Sequence, residues 1–233
     1  MKPIAIFRHT PTEGPGYFAD FLDERGIPWQ LIRIDAGDAV PQDVGSYSGL
    51  VFMGGPMSVN DDLPWIPPVL VLIRDAVARD IPVLGHCLGG QLISKALGGV
   101  VTRNPIKEIG WGKVNVSDSD TARAWFGDAQ SFEVFHWHGE TFSLPQDAVH
   151  LLSSAYCTNQ AFALGKHLAL QCHVEMTAEM VRAWCEVGAD EIAAASSSPA
   201  VQSASTMQAQ TANKLPQLHI VARQLYQRWV AGL

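Results

Sequence analysis

The residues of this chain best suited to covalent chemistry are one cysteine and a histidine–glutamate pair. Cys87 stands in "GHCLG" (85–89), between a short apolar run, "IPVLG" (81–85), and a helical pattern, "LGGQLISKALGG" (88–99). G-x-C-x-G between a strand and a helix is the cysteine counterpart of the G-x-S-x-G nucleophile elbow. A nucleophile on so sharp a turn needs small residues two positions to either side, and Gly85 and Gly89 meet that need. The turn lifts the sulfur above the C-terminal edge of the sheet, where open α/β folds bind ligands. The first N–H groups of the following helix face the sulfur, an arrangement that suits a thiolate. The N–H of Leu88 can donate to an oxyanion. The bland alternative is a buried cysteine beside a glycine-rich turn, and only a base in the right place separates the two. A phosphate loop is a third reading, but the segment lacks G-x-x-x-x-G-K-[ST].

The chain has eight histidines, and "HLALQCHVEMTAEM" (167–180) supplies a base together with the group that orients it. His173 and Glu175 lie two apart at the end of an apolar run, so in extended chain both point to one side. Glu175 can then accept from one ring nitrogen and leave the other for the sulfur. Thr177 is placed to cap the next helix. A rival base lies in "FHWHGETF" (135–142), where His136 and His138 form an H-x-H pair that could also ligate a metal. The further histidine or Asp-His partners of such a metal site are absent nearby in the sequence, so no metal and no cofactor are expected.

The elements that must carry these residues follow from patterning. "PIAIFRH" (3–9), "WQLIRID" (29–35), "SGLVFMGGP" (48–56) and "IPVLG" read as strands. "GYFADFLDERG" (16–26), "WIPPVLVLIRDAVARD" (65–80) and 88–99 read as helices. This alternation predicts an α/β fold with a parallel sheet covered by helices on both faces. Residues 100–171 change character, with several short extended stretches. Helical patterning resumes near Thr177 and runs to Ala194. The stretch "AAASSSPAVQSASTMQAQTAN" (193–213) has no apolar stripe and reads as a flexible linker or loop, before a final amphipathic helix, "LPQLHIVARQLYQRWV" (215–230). The expected organisation is one domain over 1–192, a linker over 193–213 and a docking helix within 214–233.

The 233 residues are 47% hydrophobic and 17% charged, with a formal net charge of −7. No Lys/Arg cluster is present to hold a nucleic-acid backbone. No run approaches the roughly 20 apolar residues of a membrane span, and the N-terminus lacks the apolar region of a signal peptide. A cytoplasmic protein with reduced thiols at Cys87, Cys157, Cys172 and Cys185 is expected.

Taken together, "FMGGPMSV" (52–59), "PVLGHCLGGQLISKALGG" (82–99), "EIGW" (108–111), "WHGETFSLP" (137–145), "NQAF" (159–162) and "LQCHVE" (170–175) resemble the class I (triad) glutamine amidotransferases. The resemblance covers about residues 1–190 and is nearest to stand-alone proteins similar to the glutaminase domain of GMP synthetase. It implies a flavodoxin-like fold: a central, mostly parallel sheet flanked by helices, with a small added antiparallel sheet. It implies hydrolysis of the γ-amide of glutamine through a cysteinyl thioester, with Cys87 as nucleophile, His173 as base and Glu175 as orienting acid. Gly55 and Leu88 would offer the oxyanion N–H groups. Gln91 and the backbone around Trp137, His138 and Gly139 would hold the glutamyl end. Val174 stands where the family usually has proline, and its preference for extended chain keeps the geometry. The partner would be glutamine or a γ-glutamyl compound, with a synthetase subunit as acceptor of the ammonia. The alternatives are a stand-alone γ-glutamyl peptidase and a non-catalytic binding relative. Trp111, Trp137 and Glu140 could line a pocket for a leaving group larger than ammonia.

Overall fold

A computed structural model describes residues 2–233. Its elements are β1 (Ile4–Arg8), α1 (Tyr17–Glu24), β2 (Trp29–Arg33), β3 (Gly49–Phe52), α2 (Ile66–Ala78), β4 (Val83–His86), α3 (Leu88–Ala96), β5 (Val101–Val116), α4 (Asp120–Phe126), β6 (Ser131–Phe142), β7 (Val149–Ser154), β8 (Ala161–Leu164), β9 (His167–Leu170), α5 (Ala178–Val187), α6 (Ala189–Ala194) and α7 (Ala204–Val230). The helices expected at 16–26, 65–80 and 88–99 are present and somewhat shorter, because glycine or turn residues end them.

All nine strands form one sheet, in the order β2-β1-β3-β4-β9-β8-β7-β5-β6. The pairings from β2 to β9 are parallel, and those from β9 to β6 are antiparallel. The expectation of a mostly parallel sheet plus a separate small antiparallel one is therefore corrected. The sheet is mixed and continuous, because β8 pairs directly with the edge of β9.

The inner parallel strands β1, β3, β4 and β9 are buried on both faces, whereas β2 at the edge is partly exposed, and successive residues feed opposite cores. Ile4 and Ile6 pack with α1, α4, α5 and α7, whereas Ala5 and Phe7 pack with α2 and α3. This two-sided burial is why these strands read as unbroken apolar runs.

The stretch 193–213 departs from the linker expected of it. Val201 bridges Ile109 of β5, Ser203 caps α7 by accepting from the Thr206 N–H, and residues from Ala204 on are helical. Met207 and Thr211, one turn apart, are buried. The Met207 carbonyl accepts from the Trp111 indole N–H at 3.1 Å, and Gln202 accepts from the Trp111 backbone N–H at 2.8 Å. A few polar contacts to β5 anchor this stretch, where composition offered no apolar stripe. Farther along α7, Leu218, Ala222, Leu225, Tyr226 and Trp229 form the buried face. No helix among the described residues is long and apolar enough to cross a membrane.

Candidate active site

β4 and β9 are parallel neighbours with His86 opposite Leu170. Their C-terminal ends therefore emerge side by side and carry Cys87 and Gln171 beyond the sheet. The Cys87 N–H donates to the Leu170 carbonyl at 2.8 Å. Cys87 has φ 50 and ψ −106 as the residue preceding α3, a left-handed conformation that costs a non-glycine residue of order 1–3 kcal/mol. The packing of the elbow holds it there. A Cβ on Gly89 would overlap the Phe52 carbonyl, and one on Gly90 would overlap the Leu170 carbonyl. Both glycines let α3 approach the strand ends closely, and Gly90 thereby receives a reason that the sequence did not supply.

Three residues past β9, His173 is gripped by β6. Its N–H donates to Phe135 O at 2.8 Å, and Phe135 N–H donates back to the His173 carbonyl at 3.2 Å. His173 Nδ1 meets Glu175 Oε1 at 2.5 Å, and the other carboxylate oxygen accepts the Val174 N–H at 2.9 Å. Trp184 packs against the imidazole at a 4.8 Å centroid distance. Burial alone would disfavour the imidazolium. The Glu175 carboxylate and the Cys87 sulfur outweigh it and hold His173 well above the ordinary histidine range. Burial likewise opposes the charge on Glu175, but His173 pulls its carboxyl down to about 2. The pair is thus an imidazolium–carboxylate with the sulfur beside it. Thr177 caps α5 as expected, accepting from Met180 N–H at 3.2 Å.

Cys87, Gly55, Gln91, Trp137, His138 and Gly139 all line one cleft of about 770 Å³. The N–H groups of Gly55 and Leu88 donate to no backbone carbonyl among the described residues. Gln91 is buried and donates to Gln171 Oε1 at 3.1 Å, while Gln171 Nε2 reaches Cys87 Sγ at 3.5 Å. Trp137 and Glu140 line the cleft. Trp111 does not; it is buried against Phe135 at a 5.1 Å centroid distance, so its expected place in a leaving-group pocket is corrected.

Of the rival histidines, His138 is engaged elsewhere and His136 is buried with neither ring nitrogen hydrogen-bonded. His138 Nε2 faces Glu108 Oε2 at 3.0 Å, and its Nδ1 donates to the Glu140 carbonyl at 2.9 Å. His136 is fully enclosed, and burial lowers it to about 3, a neutral ring. Glu108, His136 and His138 bring three donor atoms within 4.8 Å of one another. The metal-type partner that sequence proximity lacked is therefore supplied across the β5–β6 ladder, where Glu108 opposes His138. Glu108 is also taken up by Ser154 and Gln160, each at 2.8 Å. Sequence reasoning missed Glu108, Gln171 and Glu13. Glu13 lines the cleft from the β1–α1 loop, and its signal was available: loops at the C-terminal ends of parallel strands border the ligand crevice.

Residues 18–182 match the model of the family described as Glutamine amidotransferase class-I. The chain is 47% identical to the crystal structure of a glutamine amido transferase from Methylobacillus flagellatus, with a TM-score of 0.98 over 100% of this chain and 96% of that one. It is 31% identical to the glutamine amidotransferase-like protein YfeJ of Salmonella typhimurium, over 86% of this chain and 87% of the relative. It is 30% identical to gamma-glutamyl peptidase 3 of Arabidopsis thaliana, over 71% of each.

Proposed function

The chain belongs to the class I glutamine amidotransferase family, and from that premise we propose that it hydrolyses the γ-amide of glutamine or of a γ-glutamyl compound through a thioester on Cys87. The observation that carries this reading is the juxtaposition of Cys87, on a left-handed elbow, with the His173–Glu175 pair. The thiolate attacks the amide carbon while His173 holds the proton and Glu175 holds the ring. The tetrahedral oxyanion lies between the N–H groups of Gly55 and Leu88, each donor contributing on the order of 3 kcal/mol of barrier lowering. His173 then protonates the leaving nitrogen, the C–N bond breaks, and the thioester forms. Water, deprotonated by the same imidazole, cleaves the C–S bond and releases glutamate. Gln91 and the backbone of 137–139 hold the α-amino and α-carboxyl groups. With glutamine as substrate, the ammonia is available to a synthetase partner.

A second reading, a γ-glutamyl peptidase, is favoured by the size of the cleft. At about 770 Å³ it lies in the range of pockets for drug-sized ligands, roughly 300–1,000 Å³, and exceeds the needs of one amino acid.

A glutamine-derived chloroketone or diazo-ketone tests both readings. Covalent labelling of Cys87, prevented by excess glutamine, is the expected result. A folded protein that leaves the reagent and γ-glutamyl amides untouched would point to the non-catalytic, binding alternative.

A further inference from the structure

The triad leaves one carboxyl of the cleft without a task. Glu13 comes from the loop between β1 and α1, lines the cleft and is half-buried. The carboxylate occupies the space that a side chain on Gly54 would fill, and His173 Cε1 lies 3.2 Å from that same point. Glu13 and the imidazole therefore share the volume that Gly54 leaves open.

The loop is anchored on the triad's own surroundings. The Trp184 indole donates to the Thr12 carbonyl at 2.8 Å, and Tyr17 N–H donates to the Glu175 carbonyl at 2.8 Å. Gly16, at φ 48, leaves no room for a Cβ against that carbonyl. Burial pushes the Glu13 carboxyl up to about 7; the nearby Glu175 and Glu191 add to the rise and His173 opposes it. The one lysine nearby, Lys107, is held by Glu191 at 2.5 Å. Glu191 also accepts the Trp137 indole N–H at 2.8 Å. Two carboxyls and the rings of Trp137 and Trp184, 6.0 Å apart, thus form one wall beside His173.

The direction of the chemistry assigns that wall. In the proposed reaction the leaving nitrogen takes its proton from His173, so the leaving group lies on the imidazole's side of the sulfur. A half-buried carboxyl beside indole faces is a receptor for a cation. We propose that Glu13 reads the leaving group, and that the preferred substrates are γ-glutamyl amides whose departing amine carries an additional ammonium group, as a diamine or a lysine side chain does. This inference rests on the amide-hydrolase reading and deepens it.

The test compares matched amides on the purified full chain in mildly alkaline buffer: γ-glutamyl butylamide, its ω-amino counterpart and glutamine. The expected kcat/KM is about tenfold or more higher for the ω-amino amide than for butylamide, as one charge-assisted contact confers. Glu13→Gln should bring that ratio to near one, and Glu13→Asp should keep part of it. A wild-type ratio of one or less overturns the inference without any variant. An equal loss on all three substrates in Glu13→Gln overturns it too, since Glu13 would then serve the shared glutamyl end. If wild type cleaves none of the amides and Cys87 resists the glutamine-derived reagent, the amide-hydrolase reading falls and the inference with it. If all are cleaved at a ratio near one, only the inference falls.

Discussion

At the scale of single residues, the four cysteines differ in what surrounds them. Burial raises the thiols of Cys157 and Cys185, and that of Cys172 rises well above the usual range. Cys87 borders the cleft and faces an imidazolium. Iodoacetamide near neutral pH should therefore modify Cys87 first; peptide mass spectra with any other cysteine reacting faster would remove it as nucleophile. Cys87→Ala and His173→Ala should each abolish turnover with the fold intact. Glu175→Gln should keep more activity, since an orienting group costs less than a nucleophile or base. A dead His138→Ala alongside an active His173→Ala would transfer the role of base. Gly90 offers a test of the elbow's packing. Gly90→Ala forces a methyl onto the Leu170 carbonyl and should cost about 1–3 kcal/mol in denaturant unfolding, as overpacked sites do.

At the scale of elements, α7 is more than a terminal helix resting on the body. Its Tyr226 hydroxyl lies 3.2 Å from His86 Nε2, and that nitrogen lies 3.7 Å from Glu175 Oε2. The helix thereby closes the buried side of the Glu175 carboxylate and excludes water from it. Its first turns are held by Met207 and Thr211, although composition alone marks that segment as dispensable. Met207→Ala should cost about 2–5 kcal/mol, the usual loss for a buried methionine. Deletion of 195–212 should lower the melting temperature sharply. An unchanged melting temperature after that deletion would return the segment to the role of a linker.

At the scale of the whole molecule, buried ionisable groups set the response to pH. Burial lowers His9 to about 4, His136 to about 3 and His167 to about 4. The unfolded chain takes protons on these rings below about 6.5, and the folded chain cannot until lower pH. Their contribution is thus complete above about 6.5 and is lost as pH falls toward 4. Glu13, raised to about 7, has the opposite sign, since its stabilising proton is lost as pH rises through 7. Glu175, at about 2, contributes above the unfolded value and weakens only below about 4.5. Burial lowers His86 as well, so four histidines stand against Glu13 and the raised His173, and the balance is acid-labile. The melting temperature should fall between about pH 7 and pH 5, and His167→Gln should flatten that slope. An unchanged slope in the variant would show that other groups govern the acid transition.

The sequence by itself determined the elbow, the His173–Glu175 pair and the parallel half of the sheet. All three are local properties: a sharp turn demands glycines at fixed offsets, two residues of extended chain share a side, and doubly buried strands read as apolar runs. Only the tertiary structure decided what depends on distant partners. Trp111 is core because Phe135 and Met207 cover it. His138 is committed because strand pairing sets Glu108 opposite it. The antiparallel strands join the main sheet because β9 has a free edge for β8. The Ser- and Gln-rich stretch is ordered because its polar groups meet β5, and a hydrogen bond to a strand a hundred residues earlier leaves no periodicity to read. Glu13 enters the cleft because Gly54 has no side chain, a vacancy that exists only after two loops meet.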